Sequence, residues 1–365
     1  MTSQPSLFAP YAFRSGAAAA NRITLAPLTN SQSAEDGSCS AEELHWLERR
    51  AEGGFGIVMT CAAYVARGGK AFEGQLGCFD EKHLPGLSEI APSVARSGGL
   101  SMVQLHHGGI RASSRFTGQR PISAADWVDE KTPEGARGAT AVEVEQIIDD
   151  FVNAAKLAQR AGMSGVELHG AHGYLLCQFL SSVINTRTDD WGGSLENRAR
   201  LLRTIARRVR TEIQTPFIVG VRLSPEALPN APGIDLDEMV QVAQWLADDG
   251  VDFIDLSLWD YTRPTVKRPG EYALPTFRKA VPKDVALFAA GAIWTRADAE
   301  TVLSQGADFV SLGRSAIVEP DWPKFARAPG FEPRRPPLTL AEFEARAVSP
   351  RFVKYLRSFK NMVTD

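Results

Sequence analysis

The stretch Ser164-Gly165-Val166-Glu167-Leu168-His169-Gly170-Ala171-His172-Gly173-Tyr174-Leu175-Leu176-Cys177-Gln178-Phe179-Leu180 sets the pattern from which the fold is read. It is a short apolar run, then a turn carrying two imidazoles and a phenol, then a helical segment. Apolar runs recur at residues 23–26, 57–61, 100–105, 165–168, 217–223, 253–256, 285–290 and 309–312. Amphipathic helical patterns lie between them at 41–51, 84–97, 142–161, 195–211, 237–249, 276–281 and 295–305. Strands that are apolar throughout, without alternation, belong to a parallel sheet covered on both faces. Eight such strands alternating with helices predict an α/β fold of one closed (β/α)8 barrel. Gly162, Gly250 and Gly306 end helices just before a strand, as helix-terminating glycines do. No G-x-G-x-x-G follows the first run, so an open dinucleotide-binding sheet is not expected.

The barrel is expected over residues 1–335, with a short N-terminal segment closing its bottom and a helical extension over 336–365. The quartet Ala17-Ala18-Ala19-Ala20 reads as a loop or a helical turn. Residues 108–140 form a long connection after the third strand, rich in Gly, Ser, Pro and Arg. Such a loop at a strand C-terminus is the place for an active-site lid.

Composition narrows the function. The chain has 365 residues, 44% hydrophobic and 23% charged, with a formal net charge of −3. That balance gives no electrostatic reason for binding nucleic acid or an anionic membrane, and no apolar run is long enough to span a bilayer. Cys39, Cys61, Cys78 and Cys177 are scattered, read as buried small side chains, and form no C-x-x-C pair for zinc or an iron–sulfur cluster. The N-terminus lacks a basic-then-apolar leader. A cytoplasmic enzyme of small molecules, monomeric or homodimeric, is the expectation.

In a parallel barrel the functional residues gather at the C-terminal ends of strands. Of six histidines, four lie in two clusters there, His106-His107 and His169/His172. Imidazole N–H groups can grip a developing oxyanion and a phenol such as Tyr174 can deliver a proton. A pair of solvated histidines in a turn is the plainer reading, but the clustering weighs against it. Metal binding lacks a third ligand at suitable spacing. Arg222 lies within an apolar strand and needs an anionic partner. Gly291 and Gly313-Arg314 follow strands seven and eight, where this barrel holds phosphate. Together these describe a flat, electron-accepting ring beside an arginine, its phosphate held by the last two loops.

Over almost its whole length the chain resembles the Old Yellow Enzyme family of FMN-dependent ene-reductases. The resemblance rests on Leu7-Phe8-Ala9-Pro10, on Asn21-Arg22-Ile23-Thr24-Leu25-Ala26-Pro27-Leu28-Thr29, and on the run from His169 to Leu180. It continues in Asn185-Thr186-Arg187-Thr188-Asp189-Asp190-Trp191-Gly192-Gly193-Ser194-Leu195-Glu196-Asn197-Arg198. The resemblance implies noncovalent FMN contacted by Pro27, Leu28, Thr29, Ala62, Gln104, Arg222, Gly291, Gly313 and Arg314. Thr29 would tune the flavin through its carbonyl O4, Gln104 would face the pyrimidine edge, and Arg222 would stabilise the anionic reduced ring, which would supply the charge partner that Arg222 needs. His169 and His172 would bind the substrate carbonyl oxygen, and Tyr174 would protonate the carbon alpha to it. NADPH or NADH would be the hydride donor, and activated alkenes the acceptors.

Two departures accompany this. Asn30-Ser31-Gln32-Ser33 lacks the tyrosine many relatives use for substrate contact, so that contact is absent or supplied elsewhere. The tail Ser349-Pro350-Arg351-Phe352-Val353-Lys354-Tyr355 does not match an arginine finger, which speaks against an active site shared between subunits. Competing readings are a flavin-dependent isomerase or demethylase, a dienoyl reductase, for which the cysteine cluster is missing, and a barrel scaffold without flavin chemistry.

Overall fold

The computed structural model describes residues 6–130 and 132–365. Eight strands run in chain order around a closed barrel, each parallel to its neighbours. They are β1 (Ile23–Leu25), β2 (Ile57–Tyr64), β3 (Leu100–His106), β4 (Gly165–Gly170), β5 (Ile218–Leu223), β6 (Phe253–Ser257), β7 (Ala286–Ala290) and β8 (Phe309–Leu312). Each is followed by a helix: α1 (Ala41–Glu52), α2 (Leu84–Ala95), α3 (Ala141–Arg160), α4 (Leu195–Glu212), α5 (Leu236–Asp248), α6 (Ala273–Ala280), α7 (Arg296–Ser304) and the short α8 (Arg314–Val318). The expected (β/α)8 barrel is therefore present.

Local sequence explains the helices. α3 starts on a capping box in which Thr140 accepts from Glu143 N–H and the Glu143 side chain reaches back. It buries Val144, Ile147, Ile148, Phe151 and Val152 at helical spacing. It stops at Gly162, whose φ of +78° favours glycine. Two expectations need correction. Residues 18–19 form a strand, paired antiparallel with Tyr11–Ala12, instead of a loop or helical turn. α6 begins at Ala273, before the expected 276, because Pro275 falls in the first turn, where its missing N–H costs nothing.

The N-terminal hairpin lies against the bottom of the barrel, with Phe13 stacked on Phe309 at 5.5 Å. Inside, Phe288 stacks between Phe253 at 4.2 Å and Phe309 at 4.3 Å. A Cβ at Gly220 would lie 2.1 Å from the Phe253 ring, so this position accepts glycine alone. Above this apolar layer the inward positions turn polar: Thr24, Gln104, Glu167, Arg222, Asp255 and Ser311 are all buried.

The connection after β3 builds its own three-stranded sheet from Ile122–Ser123, Trp127–Asp129 and Thr132–Gly138. It is tied to the β4 side, since Ile110 N–H donates to Gln178 Oε1 at 3.3 Å and Arg187 donates to Ala124 O at 2.9 Å. In the tail, helices Leu340–Glu344 and Pro350–Leu356 pack on the barrel. Phe352 meets Trp46 edge-on at 5.0 Å, and Arg50 donates to Arg346 O at 2.7 Å. Cys61, Cys78 and Cys177 are buried as expected, whereas Cys39 is half-buried. Among the described residues no helix is long and apolar enough to cross a membrane.

Candidate active site

β4 alternates Glu167 and His169 toward the barrel axis, then ends at Gly170. The chain turns back through two left-handed residues, His172 at φ +61° and Gly173 at φ +74°. A Cβ at Gly173 would sit 1.7 Å from Asn230 O, so only glycine fits there. The strained His172 is held in place: its N–H donates to Ser224 Oγ at 3.0 Å, and its Nε2 lies 2.6 Å from Ser257 Oγ. His169 Nδ1 accepts from Ala171 N–H at 3.3 Å, which places the ring proton on Nε2. Tyr174 then opens the helix Leu175–Leu180.

The turn thus brings the three expected residues together. The Tyr174 ring lies 5.0 Å from His169, and His169 lies 5.1 Å from His172. His106 joins them, 4.3 Å from Tyr174 and 5.5 Å from His169. His107 turns the other way, buried against Gly69, with Nδ1 accepting from Gly109 N–H at 3.1 Å. Of the two adjacent histidines, His106 faces the site. Its Nδ1 meets Gln75 Nε2 at 3.1 Å, and its buried Nε2 has no partner.

All four imidazoles are neutral in the ordinary pH range. Burial lowers His172 to about 3, helped by Arg222 and Arg111, and burial alone lowers His107 to about 4. Burial and mutual repulsion push His106 and His169 well below the usual histidine value. Neutral rings with fixed N–H groups suit stabilisation of an oxyanion. Among the described residues no cluster of His, Cys, Asp or Glu could hold a metal.

Around the same mouth, Pro27, Leu28 and Thr29 follow β1 and are half-buried, while Ala62, Gln104 and Arg222 are buried on β2, β3 and β5. Gln104 donates its amide N–H to Glu167 Oε1 at 2.6 Å, leaving its carbonyl oxygen for another donor. Gly291 lies so close to the next loop that a Cβ would be 3.0 Å from Leu258 Cβ and 3.2 Å from the Asp260 and Tyr261 nitrogens. Gly313 opens α8 with no side chain capping its first N–H groups, and a Cβ there would meet only Leu28 at 3.5 Å. The guanidinium groups of Arg314 and Arg335 lie 5.8 Å and 4.3 Å from the Trp294 ring. Neither has a carboxylate partner among the described residues. Uncapped N–H groups beside two unmatched cations fit a phosphate. The donor set at the mouth therefore fits FMN.

Arg222 does not wait for a ligand to balance it. Asp255 Oδ2 lies 3.4 Å from its Nε, so the anionic partner is already in the protein. Sequence reading had placed Asp255 inside an apolar strand and Glu167 in another, and passed over both. Two further residues were missed. The Tyr355 side chain, from the tail, lies beside the Thr29 side chain and near Tyr174. The Arg111 guanidinium sits 4.7 Å over the Tyr174 ring and donates to Asn230 O at 3.1 Å. It lines a cavity of about 790 Å³ between the three-stranded sheet and the β4 and β5 loops.

A closed parallel barrel with these histidines and this phosphate corner defines the class of FMN-dependent oxidoreductases. The chain belongs to the NADH:flavin oxidoreductase / NADH oxidase family, whose model matches residues 6–328. It is 37% identical over 322 residues to the probable NADH-dependent flavin oxidoreductase YqiG of Bacillus subtilis, covering 87% of this chain and 86% of that protein. It is 31% identical over 330 residues to the NADPH dehydrogenase of Bacillus pumilus, covering 88% and 94%. The Old Yellow Enzyme homologue from Zymomonas mobilis superposes with a TM-score of 0.80 at 28% identity, over 93% of this chain and 96% of that one. Against larger relatives such as the NADH:acrylate oxidoreductase of Vibrio harveyi, 34% identical, 85% of this chain spans 32% of that protein's length. The protein is thus of the Old Yellow Enzyme type, a family that uses FMN and NAD(P)H.

Proposed function

We propose that the protein is an ene-reductase: it oxidises NADPH or NADH and reduces the activated C=C bond of α,β-unsaturated carbonyl or nitro compounds, in two successive half-reactions at one site. The observation that carries this reading is the cluster of neutral His169 and His172 with Tyr174 at the barrel mouth. Noncovalent FMN, when bound, supplies the hydride relay between nicotinamide and substrate. Pro27, Leu28, Thr29, Ala62, Gln104 and Arg222 would hold its ring, and Gly291, Gly313 and Arg314 its phosphate. His169 Nε2–H and the His172 ring hold the substrate's carbonyl or nitro oxygen and stabilise charge arriving there. Tyr174 gives its phenolic proton to the alpha carbon. The connection after β3, whose residues Ile110 and Arg111 reach the β4 turn, would form the lid over the site. The extension at 336–365 belongs to the same working unit as the barrel 1–335, because it carries Tyr355 to Thr29.

Anaerobic stopped-flow of the purified yellow protein tests this. Mixing with NADPH or NADH should bleach the flavin, and a second mix with a panel of enones and nitroalkenes should restore its colour. Colourless protein that takes up no FMN would support the scaffold reading. Conversion of an enone without NAD(P)H consumption would support an isomerase.

A further inference from the structure

The polar layer beneath the histidines holds two carboxyls that the proposed chemistry does not use. Glu167 on β4 and Asp255 on β6 flank Arg222 on β5, and both are 0% exposed. Resting on the FMN reading, we propose that Glu167 and Asp255 hold a single proton between them, and that this proton fixes the charge presented to the ring site.

The argument starts from unpaired atoms. Gln104 donates to Glu167 Oε1 at 2.6 Å, so that oxygen is an acceptor. Glu167 Oε2 and both Asp255 oxygens have no hydrogen-bond partner, and Arg222 Nε, at 3.4 Å from Asp255, makes an ion pair without a hydrogen bond. Three orphaned carboxyl oxygens in one buried layer are costly. A proton on Glu167 Oε2 pairs two of the three, because a neutral acid can donate to one oxygen of the Asp255 carboxylate. Charge counting agrees: two ionised carboxylates would face one guanidinium, whereas one proton leaves a carboxylate matched to a cation. Burial and the charge of Asp255 push Glu167 well above the usual carboxylate range; burial raises Asp255 as well, but Arg222 and Glu167 oppose that rise and keep it smaller. Glu167 is therefore the acid of the pair.

Among the described residues the surroundings supply no other charge at this level. β3 brings Gln104 and the neutral His106, β4 the neutral His169, and β6 the Ser257 hydroxyl. β1 and β8 add the hydroxyls of Thr24 and Ser311, and β2 and β7 add Ala62 and Ala290. With the proton in place the layer is neutral overall, and Arg222 reaches the ring site with its charge already matched by Asp255. Glu167 and Asp255 are positioning residues acting through Arg222.

Two variants separate the parts of this claim. Glu167→Gln keeps an acceptor for Gln104 and a donor for Asp255 without adding charge. Asp255→Asn made in the Glu167→Gln background leaves Arg222 unmatched, whereas Asp255→Asn alone would let Glu167 ionise in its place. The infrared difference between wild-type and Glu167→Gln apoproteins at neutral pH should show a protonated-carboxyl component. Taking the difference cancels the contribution of buried Glu43, raised to about 7. In the FMN-loaded protein, the double variant should favour the reduced over the oxidised flavin by about tenfold or more, ~30 mV for a two-electron couple. Glu167→Gln should shift that potential by clearly less. A difference spectrum without that component overturns the shared proton. Equal potential shifts in the two variants, or a double-variant potential equal to wild type, overturn the role in setting charge. Failure to bind FMN would defeat the functional reading alone, since the infrared difference is read without it. Should the double variant fail to fold, the wild-type and Glu167→Gln spectra still decide whether the proton is there.

Discussion

Below Glu167 the barrel interior holds Phe253, Phe288, Phe309, Ile218, Met59 and Met102, buried and capped by Phe13 from the N-terminal hairpin. Above that level it holds Gln104, Arg222, Asp255, His106 and His169, equally buried but polar. The two halves are built from the same eight strands and differ only in which inward positions they use. In the lower half every group is satisfied by packing. In the upper half Thr24 Oγ1, Glu167 Oε2, Arg222 Nε, both Asp255 oxygens, His106 Nε2 and Ser311 Oγ lack partners. Unsatisfied buried polar atoms are rare in proteins and cluster where something else must bind or move. The lower half holds the barrel shut, and the upper half is shaped for chemistry at some expense of stability.

The largest expected effect probes the lower half. Phe288→Ala removes a ring packed between two others and should cost about 3–5 kcal/mol of unfolding free energy in urea. FMN bound per folded molecule should stay the same. If flavin affinity fell as steeply as stability, the two halves would be one unit and the comparison would fail.

Removing a donor from the upper half should do the reverse. His169→Ala should slow flavin reoxidation by enone on the order of 10²-fold, with a smaller effect on flavin reduction by NAD(P)H. Its melting temperature should stay near wild type. A large loss of stability with normal rates would mark His169 as packing.

His107 lies at the border, buried with no place in the site, and gives a pH test. Its folded pKa, about 4, lies below the ordinary 6.5. Above 6.5 both folded and unfolded chains keep it neutral. Between 6.5 and about 4 the unfolded chain takes up a proton that the folded one refuses, so stability falls as pH falls, then levels off. The slope from this one group is about 1.4 kcal/mol per pH unit. Urea unfolding of His107→Gln at pH values inside that window should be less steep by this amount. An unchanged slope would mean His107 is protonated when folded.

The smallest effect belongs to the tail. Tyr355→Phe loses the hydroxyl beside Thr29 and should lower kcat/KM for an enone by about twofold to tenfold, the scale of one hydrogen bond. Stability should hold, because the Tyr355 ring still packs at 5.2 Å from Phe359.

These contrasts follow how the sequence could be read. Barrel strands are apolar along most of their length, so all eight runs stand out in the sequence. The cluster His169/His172/Tyr174 was legible because its members are neighbours in the chain. Which of His106 and His107 faces inward was readable in principle: Met102, Gln104 and His106 share one strand face by alternation. Asp255 was visible as a charge inside Phe253-Ile254-Asp255-Leu256, yet its pairing with Arg222 depends on register between β5 and β6. Tyr355 was out of reach, since only the docking of the tail against α1 carries it to Thr29. The hairpin at residues 11–19 was missed because two-residue strands have no periodicity to detect.

The upper half is claimed above all to grip an oxygen over a bound flavin. Titrating FMN-loaded protein with a para-substituted phenol measures this grip without turnover. Phenolate held by His169 and His172 against the ring should give a long-wavelength charge-transfer band in wild type. The band should weaken in His169→Ala and in His172→Ala while the flavin absorbance itself is retained. Bands of equal strength and equal phenol affinity in all three proteins would contradict the account, leaving the histidine pair a structural turn.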